Sequence, residues 1–518
     1  MSQALPAPAD RYHSLFLPLW ACMVLLQSGL LIHDVSAAWL ISGQTRTNSI
    51  VALAQTASTL PFFLLALPAG ALADLISRGR IIRMVAFALS ALSLATAAAA
   101  AAGMASIPLL LAASFLNGCG NALFTPAWQA LTPEIVTTQR LPGALALNSL
   151  GMNIARSIGP VVAGLVLYAS GPAAAFLFNA ALYALVGLVF LARTPPTAPR
   201  SRERLGAAMA GGIAYMRNDP QLQRIAAKAM AFFFFASTFW ALAPVIVHDF
   251  FAGTGLMLGL LVGAVGVGAV LAALLLKRLR ARFDIDRLML LAGLGGALAL
   301  ALVPAAPNLA LAAGIYGALG FCWLIAFSSI HLAAQFRLTP WIRARGTSFY
   351  LIAVFGSVAV GSALSGVVSD AVGPTSAYLA SAAGLCLATL AVARLKITRA
   401  APLALSPSRI LRPCPTPASP LALTIRYRPH PTAWTEAAQS LAALRQVRLR
   451  TGAQTWSSVR TTGDLQERIT FADAAALARA AERQSAEDAT LEARLLDLLV
   501  APPVLEVQPA GDAQSAGI

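Results

Sequence analysis

Long apolar runs separated by short connections constrain this chain more than any other feature of its sequence. Between residues 14 and 395, one run follows another, and each has the length of about 20 residues that crosses a bilayer as a helix. Only 11% of the residues are charged, whereas a soluble protein of this size would carry roughly a quarter. The sequence therefore predicts an all-α membrane protein with twelve spans, at roughly 14–41, 48–73, 81–103, 107–130, 143–169, 172–192, 222–248, 254–276, 287–304, 308–335, 347–370 and 374–395.

Arginine and lysine are unevenly distributed among the connections between these spans. The even-numbered connections are basic, for example at Arg78–Arg83 and Lys277–Arg287, and the odd-numbered ones carry little besides Arg46. Because positive residues favour the cytoplasmic side, we expect a multi-pass protein with both termini in the cytoplasm. The formal charge of +16 is then explained by orientation and contact with membrane lipids, and not by nucleic-acid binding.

The composition divides the chain into six segments. Residues 1–192 and 222–399 each hold six spans, and 193–221 connect them as a basic cytoplasmic segment that either lies on anionic lipid or acts as a tether. Two duplicated six-helix halves are typical of transporters whose substrate site lies between the halves. The remaining segments are a proline-rich linker at 400–420, a soluble domain at 421–508 and a tail at 509–518.

Small residues recur at matching places in the two halves. Because small residues let helices approach closely, we predict helix-packing roles for these positions. They are Gly159, Pro160 and Gly164 in the fifth span and Gly361 and Gly366 in the eleventh.

The residues from 421 onward have the patterns of a soluble α+β domain. Alternating strands are predicted at 421–428, 453–460, 465–471 and 504–507, and helices at 432–450 and 472–500. The order β-α-β-β-α-β indicates a small ferredoxin-like domain on the cytoplasmic side. We expect this domain to regulate the protein or to mediate self-association, because a fold alone does not establish chemistry.

Five ionisable side chains fall within the predicted spans, where they are energetically costly and therefore candidates for function. Asp34 is the first candidate for proton coupling, with a cationic substrate or a structural cap as alternatives. Arg156 is the second candidate for proton coupling and needs an anionic partner, either Asp34 or an anionic substrate. The alternative is a purely structural salt bridge. Lys228 is predicted to extend towards the headgroups, and His33 and His331 to pack between helices.

Polar amides and tryptophans in the middle of spans suit either a cavity for a small amphiphilic substrate or interhelical contacts. The cavity candidates are Asn117, Asn121, Asn148, Asn153, Trp240 and Trp323. The sequence contains no Walker A motif and no catalytic triad, and its five cysteines lack metal-ligand spacing. We therefore expect no enzyme activity, no cofactor and no metal.

Several short motifs together resemble one transporter family. They include Gly70-Ala-Leu-Ala-Asp74 with the later Arg78 and Arg80, Pro126-Ala-Trp-Gln-Ala-Leu-Thr-Pro-Glu134, Asn153-Ile-Ala-Arg156-Ser-Ile-Gly159-Pro160 and Phe239-Trp240-Ala-Leu-Ala-Pro244. Their order over residues 10–395 resembles the enterobactin-exporter branch of the major facilitator superfamily, the transmembrane secretion effectors. The tail is similar to ferredoxin-like domains of the antibiotic-biosynthesis-monooxygenase type.

The resemblance implies a transporter of the bacterial inner membrane that works by alternating access. It further implies proton-driven export of a small amphiphilic molecule, a siderophore or a drug. Gly70, Asp74, Arg78, Arg80 and Gly346 would form a cytoplasmic gate, in which Asp74 faces the start of the eleventh span. The alternatives are a metabolite importer or facilitator of the same fold, and a membrane-anchored regulator that acts through its C-terminal domain.

Overall fold

A computed structural model of the 518-residue chain describes residues 15–137, 139–193, 215–338, 343–397, 406, 408–411, 420–461 and 464–509. The chain forms two compact units. The first comprises Met1–Arg202, Ala226–His331 and Tyr350–Lys396, and the second comprises Glu203–Ile225, Leu332–Phe349 and Ile397–Ile518. Most of the predicted central connection and of the proline-rich linker, including Cys414, lies outside the described residues.

The first half of the first unit is built from five long helices. They are α1 (Leu17–Gln44), α2 (Asn48–Leu75), α3 (Arg78–Ala101), α4 (Ile107–Ile135) and α5 (Leu141–Ala192). Helix α5 is 52 residues long and contains one non-helical residue, Gly171, at φ 78°. Because glycine adopts positive φ without a side-chain clash, this position is where the chain turns between the fifth and sixth predicted spans.

The second half begins with a broken span. The segments α6 (Pro220–Ala236), α7 (Thr238–Ala241) and α8 (Ala243–Phe251) replace the continuous helix predicted at 222–248. The chain bends by 43° between Ala241 and Ala243, just before Pro244, which cannot donate a backbone hydrogen bond. The other helices are α9 (Gly255–Arg282), α10 (Ile285–Leu302), α11 (Leu309–Arg337), α12 (Arg343–Val372) and α13 (Pro374–Ala393).

Ten helices of the described chain are long and apolar enough to cross a membrane, and the bent pair α6–α8 makes an eleventh. Since α5 contains two spans joined at Gly171, this part of the chain accommodates the twelve predicted spans. Many large apolar side chains, such as Leu274 at 72% exposed and Leu387 at 68%, face outward from the first unit. An apolar outer surface on a helical protein is the surface that lipid covers.

Two close helix contacts join the two halves of the first unit. Helix α5 meets α9, and a methyl group added at Gly164 would lie 2.7 Å from the carbonyl oxygen of Gly255. Helix α2 meets α12, and a methyl group at Gly366 would lie 2.6 Å from the Cβ of Ala52. Close approach of backbones at glycine supports the helix-packing role predicted for these residues.

Asp370 ties the end of α12 to the start of α2. Its carboxylate accepts from the backbone N–H groups of Asn48 at 2.6 Å and Ser49 at 3.1 Å. The Asn48 side chain also donates to the hydroxyl of Ser369 at 3.0 Å. A carboxylate at a helix N-terminus satisfies unpaired N–H groups and complements the helix dipole.

Lys228 does not extend to the surface as the sequence predicted. Its side chain is 2% exposed, and its ammonium pairs with Asp286 at 2.8 Å. The acidic residue lies in the first turn of α10, where it also complements the positive end of that helix.

The second unit contains a four-stranded antiparallel sheet. The strands β1 (Leu421–Tyr427), β2 (Thr455–Arg460), β3 (Leu465–Phe471) and β4 (Val504–Pro509) lie in the order β2-β3-β1-β4. Helix α14 (Trp434–Thr451) follows β1, and α15 (Ala474–Glu482) and α16 (Ala486–Asp497) follow β3. The predicted element order β-α-β-β-α-β is observed, with the second helix divided in two at Ser485, which forms a capping box with Asp488.

One face of this sheet covers a buried ionic cluster. Arg448, Glu467 and Glu492 are each 0% exposed, and the guanidinium bonds Glu467 at 3.3 Å and Glu492 at 2.6 Å. Tyr427 and Trp456 also donate to Glu467. Burial opposes the charge on Glu492, but Arg448 outweighs that effect and holds the pKa of this carboxyl below its usual value.

A second buried carboxylate in this unit, Asp219, begins α6. It accepts from the backbone N–H groups of Gln221 at 2.9 Å and Leu222 at 3.1 Å, which makes it the helix N-cap. The same carboxylate pairs with Arg337 at 2.9 Å and with Arg450 at 3.2 Å. One acid therefore holds the start of α6, the end of α11 and the end of α14 together within this unit.

Candidate functional site

A cavity of about 180 Å³ lies between the two halves of the first unit. Helices α1, α2, α4 and α5 contribute its lining from the first half. Helices α7, α8, α9, α11 and α12 contribute from the second half. A cavity at the interface of two repeated halves is where transporters of this architecture bind substrates.

Aromatic rings form much of the cavity wall. Phe62 of α2 and Phe355 of α12 stack across the interface at 4.4 Å between centroids. Trp240 and Trp323 meet edge to face at 6.2 Å, and Phe327 also lines the cavity. Trp240 reaches this wall because the short helix α7 turns it inward at the break in the seventh span. Such a wall suits the apolar or aromatic part of a ligand.

Asp34 lines the cavity from the middle of α1 and is held by a polar chain behind it. Asn117 of α4, which is 2% exposed, donates to the Asp34 carboxylate at 3.2 Å and to the Leu30 carbonyl at 3.3 Å. The Tyr183 hydroxyl donates in turn to Asn117 at 3.1 Å. The amide orientation follows from these partners, because Asn117 accepts from Tyr183 and so presents its N–H₂ group to Asp34. The chain fixes the position of the Asp34 carboxylate at the cavity wall.

Arg156 of α5 lines the same cavity. Within the ranges that the structure describes, it forms no ion pair, and none links it to Asp34. An arginine remains charged in any environment and needs an anion or water to compensate for its burial. The cavity thus presents a carboxylate and a separate guanidinium to whatever occupies it.

The six residues predicted for a substrate cavity divide into two groups. Asn121, Trp240 and Trp323 are among the residues that line it. Asn117 is the partner of Asp34, Asn148 donates to the Thr132 hydroxyl at 3.1 Å, and Asn153 donates to the Ser149 carbonyl at 2.9 Å. The amides of the second group therefore make contacts within the first half instead of facing the cavity.

The predicted gate is described only in part. The surroundings of Gly70, Asp74 and Gly346 lie outside what the structure describes. Arg78 forms an ion pair with Glu134, which joins the start of α3 to the end of α4, and Arg80 is exposed. The gating role of all five residues remains a prediction.

Three polar residues near the interface were missed by sequence reasoning. Asp370 follows Gly366 by four residues, at the end of a predicted span. An acidic residue at such a boundary could have indicated the contact that it makes with the start of α2. Gln55 lines the cavity, and Tyr183 reaches Asn117 from the far end of α5. No sequence pattern distinguishes these two from other polar residues in apolar helices, since their partners are distant along the chain.

In the described part of the chain, no group of three or more His, Cys, Asp or Glu residues could hold a metal ion.

Two curated relatives are similar to part of this chain. The Staphyloferrin A transporter of Staphylococcus aureus (strain NCTC 8325 / PS 47) is 24% identical over 262 residues, which is 49% of this chain and 64% of that protein. The Enterobactin exporter EntS of Escherichia coli O1:K1 / APEC is 28% identical over 287 residues, which is 54% of this chain and 68% of that protein. The chain thus matches about two thirds of the length of each relative.

Solved structures share the fold at low sequence identity. A bacterial homologue of the human lysosomal transporter Spinster, in an inward-facing and occupied conformation, matches with a TM-score of 0.57 and 16% identity over 74% of this chain and 95% of that one. A POT family transporter in complex with 5-aminolevulinic acid matches with a TM-score of 0.60 and 11% identity over 73% and 96%. These matches establish the transporter fold of the helical part.

The family model for transmembrane secretion effectors matches residues 7–507, a range that includes the C-terminal α+β domain. Its members and the relatives above are transporters and not enzymes. The predicted family and helical fold are therefore confirmed, whereas the ferredoxin-like kinship of the tail stays a prediction. With a cavity between two six-helix halves and a family match along nearly its whole length, this chain belongs to the transmembrane secretion effectors, a family of major facilitator transporters.

Proposed function

We propose that this protein is a proton-coupled exporter of a small amphiphilic molecule that carries an anionic group. The observation that carries the proposal is the cavity between the halves, in which Asp34 and Arg156 are separate and aromatic rings form the wall. The relatives' names support an iron-chelating metabolite as the class of substrate. We further propose a location in a bacterial inner membrane, with both termini in the cytoplasm.

The anionic group of the substrate would bind Arg156. A guanidinium in a largely apolar cavity attracts a carboxylate or a catecholate, because both can accept two of its N–H groups. The rings of Trp240 and Trp323 would contact the apolar part of the same molecule. This division of the cavity into a charged side and an aromatic side gives it a preference for amphiphilic anions.

Asp34 would carry the coupled proton. It alternates between a charged form that accepts from Asn117 and a protonated form that suits an apolar cavity. When the cavity opens to the periplasm, a proton would bind Asp34, and when it opens to the cytoplasm, the proton would leave. Protonation of Asp34 and binding of the substrate anion in the cavity would then alternate during the transport cycle.

The structure supports a state in which the cavity is closed towards the periplasm. The halves are joined by Asp370 at the start of α2 and by Gly164 against α9. We place this end of the bundle at the periplasm, because the positive residues cluster in the connections at the opposite end. Transport by alternating access would require these contacts to separate while contacts form at the opposite end.

Transport in inside-out vesicles with an imposed proton gradient tests this proposal. Vesicles containing the parent protein should accumulate an amphiphilic anion from a panel of catecholates, hydroxycarboxylates and dyes, and Asp34→Asn should abolish the gradient-driven part. The matched control is Glu482→Gln, which removes an exposed carboxylate from the C-terminal domain and should leave transport unchanged. Transport that depends neither on the proton gradient nor on Asp34 would identify the protein as a facilitator instead.

A second measurement separates transport from a regulatory role of the tail. Flux that persists after deletion of residues 400–518 would exclude the alternative that the helices only anchor the C-terminal domain. Loss of flux with the helical protein still inserted would favour that alternative.

A further inference from the structure

A polar cluster around one arginine lies beside the cavity and takes no part in the proposed coupling. It consists of Arg280 near the end of α9, Ser328 and His331 on α11 and Tyr350 on α12, and it is called the Arg280 site below. Its position follows from Phe327, which lines the cavity and stacks on the His331 ring at 6.3 Å between centroids. His331 is one helical turn along α11 from Phe327, and Tyr350 is one turn along α12 from the cavity residue Val354.

Arg280 is bound by neutral groups only. One terminal nitrogen donates to the Ser328 hydroxyl at 2.7 Å and to the Ser328 carbonyl at 3.0 Å. Its Nε is buried and has no hydrogen-bond partner, and in the described residues no carboxylate forms an ion pair with it. A guanidinium held in place without an acid retains both its charge and N–H donors for a ligand.

The groups around Arg280 add donors of the same kind. His331 shares a hydrogen bond through Nδ1 with the Tyr350 hydroxyl, which orients the ring. His331 follows Ser328 by three residues on α11, so it lies on the same face of that helix as the hydroxyl that Arg280 contacts. The cluster thus combines a fixed cation with polar hydrogens and an aromatic ring, which is the chemistry that binds a small aromatic or hydroxylated acid.

We propose that the Arg280 site binds the anionic group of the substrate before it reaches Arg156. This proposal rests on the proposed function for the identity of the substrate, but the site itself is defined by its own residues. Arg280 lies in the last turn of α9 together with Arg282, at the end that we place in the cytoplasm from the distribution of positive charge. An exported anion would therefore meet Arg280 first and Arg156 second, with the aromatic wall between them.

Equilibrium dialysis of salicylate against the full-length protein in lipid nanodiscs tests this proposal. Salicylamide, which has nearly the same shape and no charge, is the matched probe. We expect two salicylate sites in the parent protein, one site after Arg280→Gln, and weak binding of salicylamide throughout. Arg280→Lys should retain the second site with an affinity about tenfold lower, because a lysine keeps the charge and loses the two-pronged geometry.

The outcomes separate this site from the cavity. The Arg280 site is refuted if the Arg280→Gln variant binds salicylate as the parent does. It is also refuted if the substitution weakens the binding of salicylamide as much as that of salicylate. Arg280 would then only hold α9 against α11. If Arg156→Gln retains both sites, the proposed role of Arg156 fails while the Arg280 site stands. Absence of salicylate binding to the parent would refute the Arg280 site as an anion site, and the vesicle experiment would still decide the proposed function.

Discussion

Replacing Asp219 with asparagine should destabilise the second unit strongly. Asp219 is 0% exposed and lies between Arg337 and Arg450, whose side chains are 14% and 7% exposed. Asparagine is as good an N-cap as aspartate, so the hydrogen bonds from Gln221 and Leu222 can remain. The substitution therefore removes the negative charge and leaves the helix start intact.

The magnitude follows from what remains around the two arginines. Removing one partner of a buried ion pair costs about 3–5 kcal/mol, because the other charge stays buried without compensation. Here Glu487 still pairs with Arg337, and Asp488 still pairs with Arg450. Since each arginine keeps one acid, we expect the lower end of that range, about 3 kcal/mol.

Pulse proteolysis in a urea series measures this change in the full-length protein in nanodiscs. With a urea dependence of about 1–3 kcal/mol per molar, the midpoint for cleavage of the C-terminal domain should fall by about 1–3 M. Asp464→Asn is the matched control, because Asp464 pairs with an Arg428 that is 67% exposed. An exposed pair contributes at most about 1 kcal/mol. A shift for Asp219→Asn no larger than that of Asp464→Asn would refute the reasoning.

Three further predictions concern helix contacts, pH and the polar chain behind Asp34. Gly361→Ala would place a methyl group against the backbone carbonyl of Phe234 and should lower the thermal stability of the helical unit, whereas Gly314→Ala, with open space around it, should not. Arg448 lowers the folded-state pKa of Glu492, so the ionised Glu492 carboxylate stabilises the fold. This stabilisation is complete above the unfolded-state pKa of about 4.3 and is lost as the pH falls through the folded-state pKa. Hydrogen exchange in strands β1 and β3, corrected for its intrinsic pH dependence, should show this loss, and Glu492→Gln should remove the pH dependence. Asn117→Leu should change the pH dependence of transport through loss of its bond to Asp34, and a pH profile identical to the parent's would contradict that role.

Local patterns in the sequence were sufficient for the helical class, the family and the order of elements in the C-terminal domain. Span length and hydropathy reflect the transfer of each segment from water, so neighbouring residues alone carry that information. Strand alternation works in the same way, and the strands from Leu421 and Leu465 were predicted close to their observed bounds. The break in the seventh span was missed because the apolar run continues through Pro244, although a proline inside a helix signals a kink.

The candidate site could be predicted only in part. Asp34 and Arg156 stood out because charged residues inside spans are rare, and both do line the cavity. The six polar and aromatic candidates looked alike in the sequence, yet Trp323 faces the cavity and Asn148 bonds within its own half. The difference is a matter of helix rotation and of partners far along the chain, which hydropathy does not contain.

Hydropathy and residue order alone indicate that this chain crosses a membrane as two similar halves and carries a small α+β domain after them. Tertiary structure alone decided which polar groups meet: Asn117 with Asp34, Asp370 with the start of α2, and Asp219 with two arginines more than 100 residues away. The physical reason is that burial of apolar surface depends on composition and period, whereas a buried hydrogen bond or ion pair depends on the distance and direction between two specific atoms.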